Sequence, residues 1–448
     1  MTITTAKSQS LVQARSVIVL ALAALAAASM WFYVSRVLVG YQITEAREHG
    51  RPRGNLSDLY PRWLGARELL LHHRNPYGDD VTREIQEGYY GRALDPSRPD
   101  DPKDEERFAY PVYVVFLLAP SIGLPFHGVQ IFFHWLLLGL TLVSVGLWLY
   151  VVRWRITWDQ TAVAVLLTLG SIPAVQGVKL QQLSLLVAAL LAGSAACAAS
   201  GLLFCGGVLL ALATIKPQLA WPLVAWFSLW ALSDWQSRRR LAIGFALMMT
   251  ILLGGAEIVL PGWWRMFIDA IGNYHRYTQN RSVLDVLIPW PPAARLLAIL
   301  AVLVTAMLLW RLRRQPANGR EFGLAAALVM ALTVLVVPMY GPYNQLLLLP
   351  AIFVLYRDRS FFLGGSRGSR FVYSVGCLAV LWPWLASLAL SAILLLVSRS
   401  AAINGWAWPL YSTFATPVLI FALIYMDVRR LSVDGRVNLG SFGNERKA

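Results

Sequence analysis

The sequence predicts an all-α polytopic membrane protein, and three observations carry that prediction. The 448 residues are 57% hydrophobic and 14% charged, with a mean hydropathy of +0.55. Soluble domains carry about 25% charged residues, so this chain lacks the polar surface to cover itself in water. Apolar runs of roughly 17–25 residues recur along most of it, each able at about 1.5 Å per residue to cross about 30 Å of hydrocarbon. The third observation is where the charges fall. Residues 41–108 hold fourteen of the 24 acids and eleven of the 39 bases. Elsewhere the bases cluster in short connectors: Arg153/Arg155, Arg238/Arg239/Arg240, Arg311/Arg313/Arg314, Arg357/Arg359/Arg367/Arg370 and Arg429/Arg430. That is the positive-inside signature of cytoplasmic turns. A nucleic-acid partner would need one contiguous basic face with interleaved aromatics, which the sequence lacks. The 18 Trp and 17 Tyr, many at the ends of apolar runs, fit interfacial belts.

Taking each cluster as cytoplasmic gives a multi-pass protein of the cell's inner membrane with about twelve spans and both termini inside. The first run, about 16–39, is too long for a signal-peptide core and reads as an uncleaved helix leading out. Residues 40–108 then form a first extracytoplasmic loop. In it Leu59, Trp63, Ala66, Leu69 and Leu70 recur at helical spacing, which predicts a surface helix on the membrane, opened by Asp58. The Pro- and acid-rich stretch 95–107 reads as a flexible, solvated charge run. Tyr110 to Pro125 reads as a short re-entrant or interfacial helix, because a full span there would put Arg153 outside. The span at about 128–151 returns inside. Pairs at about 160–176 and 181–198, then 201–216 and 217–233, turn on the outer side near Gln182 and at Lys216-Pro217. The span 239–260 exits into a second extracytoplasmic loop, 261–291. Spans at about 293–311, 322–338, 345–357, 371–396 and 408–427 complete a single membrane domain, 1–448.

Asp58, in Ser57-Asp58-Leu59-Tyr60, reads in two ways. It is a helix cap with Pro61 in the first turn, or a general base that takes a proton from an acceptor hydroxyl. The stretch Asp58-Leu-Tyr60-Pro-Arg-Trp63-Leu-Gly-Ala66-Arg67-Glu-Leu-Leu70, followed by Asn75-Pro76-Tyr77 and Tyr110-Pro111, resembles glycosyltransferase family 87. That family includes polyprenyl-phosphate-mannose-dependent α-1,2-mannosyltransferases of the GT-C superfamily. The likeness covers roughly residues 17–345, strongly in short islands. It implies a GT-C-type fold with an extracytoplasmic active site. There a polyprenyl-phosphate sugar donor would pass a hexose, mannose by family, to a hydroxyl of a glycolipid or glycan acceptor with inversion. The aspartate matching Asp58 would be the base, with Tyr60 and Arg67 on the substrate.

Lys216-Pro217 matches a Lys-Pro of the family. A lysine at an outer helix end either snorkels to membrane lipids or holds the donor phosphate, whose charge needs a cation as the sugar departs. Where the family shows Gly-Gln-x-Asn, this chain has Gln181-Gln182-Leu183-Ser184. Gln182 and the nearby Lys179 join Lys216 as donor-phosphate candidates, with helix capping as the alternative for Gln182. Where family members carry a histidine after a proline, the chain reads Pro338-Met-Tyr340-Gly-Pro342-Tyr343-Asn344-Gln345. Tyr343 and Asn344 are the substrate-binding candidates there. His275, in a loop with Tyr274, Tyr277, Asn280 and Arg281, is either a substitute imidazole or a solvated residue. Cys197, Cys205 and Cys377 lie in apolar runs without metal-ligand spacing. The pattern calls for no cofactor and leaves a divalent cation open. It contains no nucleotide-sugar or Walker motif. Rival readings are a lipid-sugar transporter or flippase, which asks for midplane charges and repeat symmetry, and a polyprenyl-diphosphate-dependent oligosaccharide polymerase or ligase.

Overall fold

The structure is a computed structural model that describes the backbone of residues 2–51, 53–278, 281–338 and 340–444, with side chains between 14 and 430 apart from 277 and 278. Every regular element among them is helical. Helix α1 (Thr2–Tyr33) passes through one π turn, Val34–Leu38, into α2 (Val39–Glu48), so the first apolar run is one long span. Helix α3 (Tyr60–His72) packs on α4 (Asp79–Tyr90) and on α5 (Val114–Leu118) with its 3-10 extension Ala119–Ser121. Then come α6 (Phe126–Val151) and the pair α7 (Trp158–Leu169) and α8 (Ile172–Lys179), bent by 53° at the break between them. Helices α9 (Leu183–Ala199), α10 (Leu203–Ala213), α11 (Pro217–Leu232) and α12 (Trp235–Val259) follow. Next are α13 (Trp263–Thr278), α14 (Val283–Leu287), α15 (Pro291–Leu312) and α16 (Arg320–Val336). A 3-10 turn, Pro342–Leu348, leads into α17 (Leu349–Arg357), α18 (Arg359–Gly364), α19 (Arg367–Leu396), α20 (Arg399–Asn404) and α21 (Ala415–Asn444).

Among the described residues six helical segments are long and apolar enough to cross a membrane, seven if the bent pair α7–α8 is counted as one span. The other segments of the expected twelve are shorter. Helices α9, α10, α11, α16 and α17 have 17, 11, 16, 17 and 9 residues. At about 1.5 Å per residue they measure roughly 14–26 Å, less than the hydrocarbon thickness of about 30 Å. They are short because several of their ends converge on one polar site, described below, and further turns of helix would fill it. Helices α9 and α16 are buried almost all round, while α6 and α15 expose Phe132, Trp135, Leu303 and Met307. A pillar wrapped by apolar-faced helices is the packing expected in lipid. Helices α10 and α12 touch backbone to backbone. A Cβ on Gly207 would lie 2.1 Å from the Leu241 carbonyl, and one on Gly244 2.2 Å from that of Phe204, the small-residue contact that replaces hydrophobic attraction between membrane helices.

The arginine connectors gather at one end of the bundle. Buried Arg238 donates to the carbonyls of Trp230, Arg313, Arg314 and Gln315. Arg357 reaches the Val152 carbonyl and shares Asp358 with Arg320, at 2.7 and 2.8 Å.

Two expectations for residues 40–108 need correction. The helix there is not a surface helix: α3 buries Arg62, Trp63, Leu64, Ala66, Glu68 and Leu69. Trp63 Nε1 donates to the Ser121 carbonyl at 3.1 Å, and Glu68 pairs with Arg74, which also binds Asp80 and Glu84 of α4. Its apolar periodicity is real, but α5 covers that face and α4 the polar one. Asp58 precedes this helix and does not cap it; the N-cap is Leu59, without a side-chain cap bond. The stretch 95–107 is a solvated run only in part: residues 96–100 are exposed, but its ends are tied down. Arg92 binds Asp101, Gln86 Nε2 donates to the Glu105 carbonyl at 3.1 Å, and the Glu106 side chain is turned inward to 12% exposure.

Candidate active site

After α8 the chain turns through Gln181 at φ +50°, a left-handed conformation that costs a side chain roughly 1–2 kcal/mol. The Gln181 side chain offsets this by local bonding. Its Nε2 donates to the carbonyls of Val178 and Lys179, both at 2.9 Å, and its Oε1 accepts from Ser57 Oγ at 2.7 Å. The next residue, Asp58, donates its backbone N–H to Leu180 at 2.9 Å. The turn therefore grips Ser57-Asp58 from below and fixes the carboxylate. One oxygen of Asp58 accepts from Gln182 Nε2, the other from the Tyr89 hydroxyl at 3.3 Å.

The Gln182 amide has a second use. Its oxygen accepts from Lys216 Nζ at 3.1 Å, and the same ammonium donates to Ser184 Oγ at 2.5 Å. Ser184 in turn donates to Asn344 Oδ1 at 2.8 Å. Lys216 is 7% exposed and stands just before Pro217, the first residue of α11, so α10 and α11 both end at its ammonium. The rings of Tyr343 and Tyr110 face it, their centroids 5.2 and 6.0 Å away. No carboxylate oxygen comes within 4.0 Å of it among the described residues. Asp58, Gln182, Ser184, Lys216 and Asn344 thus form one hydrogen-bonded chain drawn from four distant segments.

Two tyrosines, Tyr77 of the sequence islands and Tyr113 just after Tyr110-Pro111, act as joints that shape this site. Tyr77 donates its hydroxyl to the Tyr110 carbonyl at 2.7 Å, and Tyr113 donates to the Thr214 carbonyl at 2.9 Å, two residues before Lys216. The Tyr110 ring is thereby held beside both Lys216 and Arg62, whose guanidinium carbon lies 4.6 Å from its centroid. Arg62 donates to the Asp58 carbonyl at 2.9 Å and stands 3.7 Å from Glu106. Burial pushes the Asp58 carboxyl above its ordinary value, against the pull of Arg62, Gln182, Lys216 and Tyr89. Burial raises Glu106 well above its ordinary range too, helped by Asp104 and Asp58. Asp58 keeps part of its surface open. Beside it runs a cleft of about 350 Å³ whose walls include Tyr89, Leu180 and Glu106.

The other sequence candidates divide. Tyr343 and Asn344 stand at the ammonium of Lys216, on the turn where the family histidine is absent. Tyr60 and Arg67 do not join the site. The Tyr60 ring packs on Gly88 and edge-on to Phe126, and Arg67 lies over Trp63 at 5.5 Å. Asp58 precedes α3, and these two residues project from other faces of that helix. Lys179 is also separate: its ammonium reaches Gln42 Oε1 at 3.5 Å, not the Lys216 network. His275 is exposed on α13, whereas its neighbour Tyr274 feels Asp104, Arg62, Tyr343 and Glu106. Asn280 and the Tyr277 side chain lie outside the described residues. Sequence reasoning did not find Arg62, Tyr89 or Glu106. Arg62 had a signal, four residues beyond Asp58, and Glu106 had one in the acid cluster Asp104-Glu105-Glu106, where a paired-carboxylate reading yielded to that of a solvated charge run; Tyr89 had none. No group of three His, Cys, Asp or Glu side chains among the described residues is placed to hold a metal ion.

The profile of glycosyltransferase family 87 matches residues 108–338, just over half of the 448-residue chain. The matched stretch contains Tyr110, Gln182, Ser184 and Lys216. Comparison with curated proteins and with solved structures returns no match.

Proposed function

The chain belongs to glycosyltransferase family 87 and is a membrane glycosyltransferase, and from that premise we propose that it transfers a hexose, mannose by family, from polyprenyl phosphate to a hydroxyl of a glycolipid or glycan. The observation that carries this reading is the Gln182 amide joining Asp58 to Lys216. A largely buried carboxylate and a buried ammonium with no carboxylate in contact stand on either side of one side chain. Burying a cation without its counter-charge is costly. A donor phosphate arriving at Lys216 supplies the missing anion.

In the reaction the acceptor hydroxyl gives its proton to Asp58 as its oxygen bonds to the anomeric carbon. The bond from that carbon to the phosphate oxygen breaks, and the electron pair leaves with the polyprenyl phosphate, stabilised by Lys216. No covalent enzyme intermediate is needed, so a β-linked donor yields an α-linked product. Tyr343 and Asn344 line the donor side, where the family histidine is missing; Tyr89, Gln182 and Arg62 orient Asp58 in its place. The site lies opposite the arginine-rich end of the bundle. Under the positive-inside rule this is the extracytoplasmic face of the inner membrane, with both termini cytoplasmic. A lipid-linked donor fits a chain without nucleotide-binding motifs.

The test is transfer of labelled hexose from polyprenyl phosphate by wild-type and Asp58→Asn protein in detergent. The variant is expected to lose about 10²- to 10⁴-fold in rate, the contribution of a positioned base, while keeping its thermal midpoint. Near-wild-type transfer by a folded variant would remove Asp58 from the mechanism.

A further inference from the structure

The reaction proposed above leaves a proton on Asp58, and Asp58 must lose it before the next transfer. Two of its neighbours stand between it and water. Tyr89 donates its hydroxyl to Asp58 Oδ1 at 3.3 Å, and the Glu106 carboxyl is a hydrogen-bonding neighbour of the same hydroxyl. Tyr89 and Glu106 both line the cleft of about 350 Å³, whose walls run out to exposed Gln42 and partly exposed Glu45. Asp58 does not line that cleft. Its open connection to the cleft runs through Tyr89 and Glu106.

The chain takes trouble to aim Glu106 inward. Its φ is +50°, a left-handed conformation that strains any residue with a side chain. The turn is tied down by the Glu106 N–H donating to Asp104 Oδ1 at 3.0 Å. From α4, the Tyr90 hydroxyl donates to the Asp104 carbonyl at 2.8 Å and Gln86 Nε2 to the Glu105 carbonyl at 3.1 Å. Glu105 and Arg107, on either side, pair with each other, and Arg107 also binds Asp79. Glu106 alone of the three turns in. There it meets Asp58, Asp104, Tyr89, Tyr274 and Tyr343, with Arg62 as the cation at 3.7 Å. Arg62 also serves Asp58, while Arg51 and Arg92 of the cleft are matched to Glu45 and Asp101. Two carboxylates that share one guanidinium do not ionise independently, so a proton gained by one is felt by the other. Burial and the nearby acids push the Tyr89 hydroxyl up, so it keeps its proton and bridges the pair.

We propose that Glu106 is the outlet for the reaction's proton, taking it from Asp58 through the Tyr89 hydroxyl and releasing it to water in the cleft. This role presupposes the transferase reading above and adds the step that resets its base. The Asp58 O–H bond breaks as its proton bonds to the Tyr89 oxygen, and the proton that Tyr89 carried passes to a Glu106 oxygen. Tyr89 ends as it began and Asp58 is a carboxylate again. Glu106 then gives the proton to cleft water. Glu106 acts through Tyr89 and Asp58 and does not touch the sugar, so it is a positioning residue for the proton.

The test measures transfer from polyprenyl-phosphate hexose across pH by wild-type, Glu106→Gln, Glu106→Asp and Tyr89→Phe protein in detergent. Wild-type kcat is expected to rise with pH through the two linked ionisations of the Asp58 and Glu106 pair. Glu106→Gln keeps the shape but holds no transferable charge; its kcat is expected to fall about 10- to 100-fold, less than the loss of the base itself, with donor KM unmoved and a single ionisation left in the profile. Glu106→Asp is expected to recover part of that loss, and Tyr89→Phe to match Glu106→Gln. Wild-type transfer with both ionisations retained in Glu106→Gln, whatever its thermal midpoint, makes Glu106 a structural counter-charge of Arg62 and overturns the proposal. Unchanged kcat in Tyr89→Phe overturns the route. If wild-type protein transfers to no acceptor, the transferase reading falls, and infrared titration of the carboxyl bands judges the pair by itself. Two linked ionisations that Glu106→Gln reduces to one keep Asp58 and Glu106 as proton-exchanging partners; independent ionisations remove the pair.

Discussion

The two ends of the bundle handle buried positive charge in opposite ways. At the arginine end every buried guanidinium described above is saturated: Arg238 by four carbonyls, Arg357 by Val152 and Asp358. At the other end Lys216 is wrapped in an amide, a hydroxyl and two rings, without a carboxylate in contact. The first arrangement closes on itself and fastens connectors. The second leaves the ammonium without a carboxylate in direct contact, one amide away from a carboxylate that burial keeps less acidic than usual. The contrast separates cations that hold the fold from the cation proposed to receive the donor phosphate.

Lys216→Gln tests that contrast most severely. It is expected to lower kcat about 10²- to 10³-fold, the range for removing a preorganised group that faces developing charge, with little loss of stability. A kcat within about threefold of wild type would make Lys216 a structural cation after all. The mirror experiment is Arg238→Met, expected to destabilise by about 2–4 kcal/mol because four carbonyls lose their donor. Its kcat per folded molecule should stay at the wild-type value, and a thermal midpoint beside an active-site titration reads both quantities.

Acidity sharpens the comparison through the sign of the linkage. Asp58, Asp104 and Glu106 have raised folded values, chiefly from burial. The folded state then binds protons more tightly than the unfolded chain, so their contribution to stability fades as pH rises from the ordinary carboxylate value through the raised one. Transfer should rise over the same window, because the base proposed at Asp58 takes a proton only when ionised. At Asp358 burial also pushes upward, but Arg357 and Arg320 outweigh it and hold the carboxyl below its usual range. Its stabilisation is present above the ordinary value and lost as pH falls. Thermal midpoints across pH should therefore show Glu106→Gln flattening the loss at high pH and Asp358→Asn flattening the loss at low pH. Parallel profiles for the two variants would erase the distinction between the ends.

The smallest effect is expected from Gln181→Gly. Glycine relieves the left-handed backbone by roughly 1 kcal/mol but removes three hydrogen bonds worth about 1 kcal/mol each. A slightly lower midpoint with a few-fold loss of kcat, as Ser57-Asp58 loosens, is the expected outcome. Higher activity in the variant would show that the glutamine clamp does not position Asp58.

Legibility in the sequence followed the range of the interactions. The apolar runs and the arginine connectors are local or repeated signals, and they gave the membrane class. Short islands gave the family and the candidates Asp58, Gln182 and Lys216. The span count was less legible, because hydropathy marks apolar stretches and not where a helix starts or stops, and at the site α9 starts and α10 stops. The acid run 95–107 misled for a related reason: composition cannot show that Glu106 turns inward to meet Arg62. Ser184 and Asn344 looked like departures from the family pattern when taken singly. Together they form one hydrogen-bonded pair at Lys216.

By itself, then, the sequence determined a membrane-embedded all-helical chain of glycosyltransferase family 87, because hydrophobic length, charge placement and short motifs are written in consecutive residues. Only the tertiary structure decided that Asp58 is bound by Gln182 and Tyr89 rather than capping a helix. It also separated Lys179 from Lys216 and gave each its own surroundings. Those outcomes depend on side chains more than a hundred residues apart sharing one poorly solvated space, where a single amide or a missing carboxylate changes the free energy of every neighbouring charge.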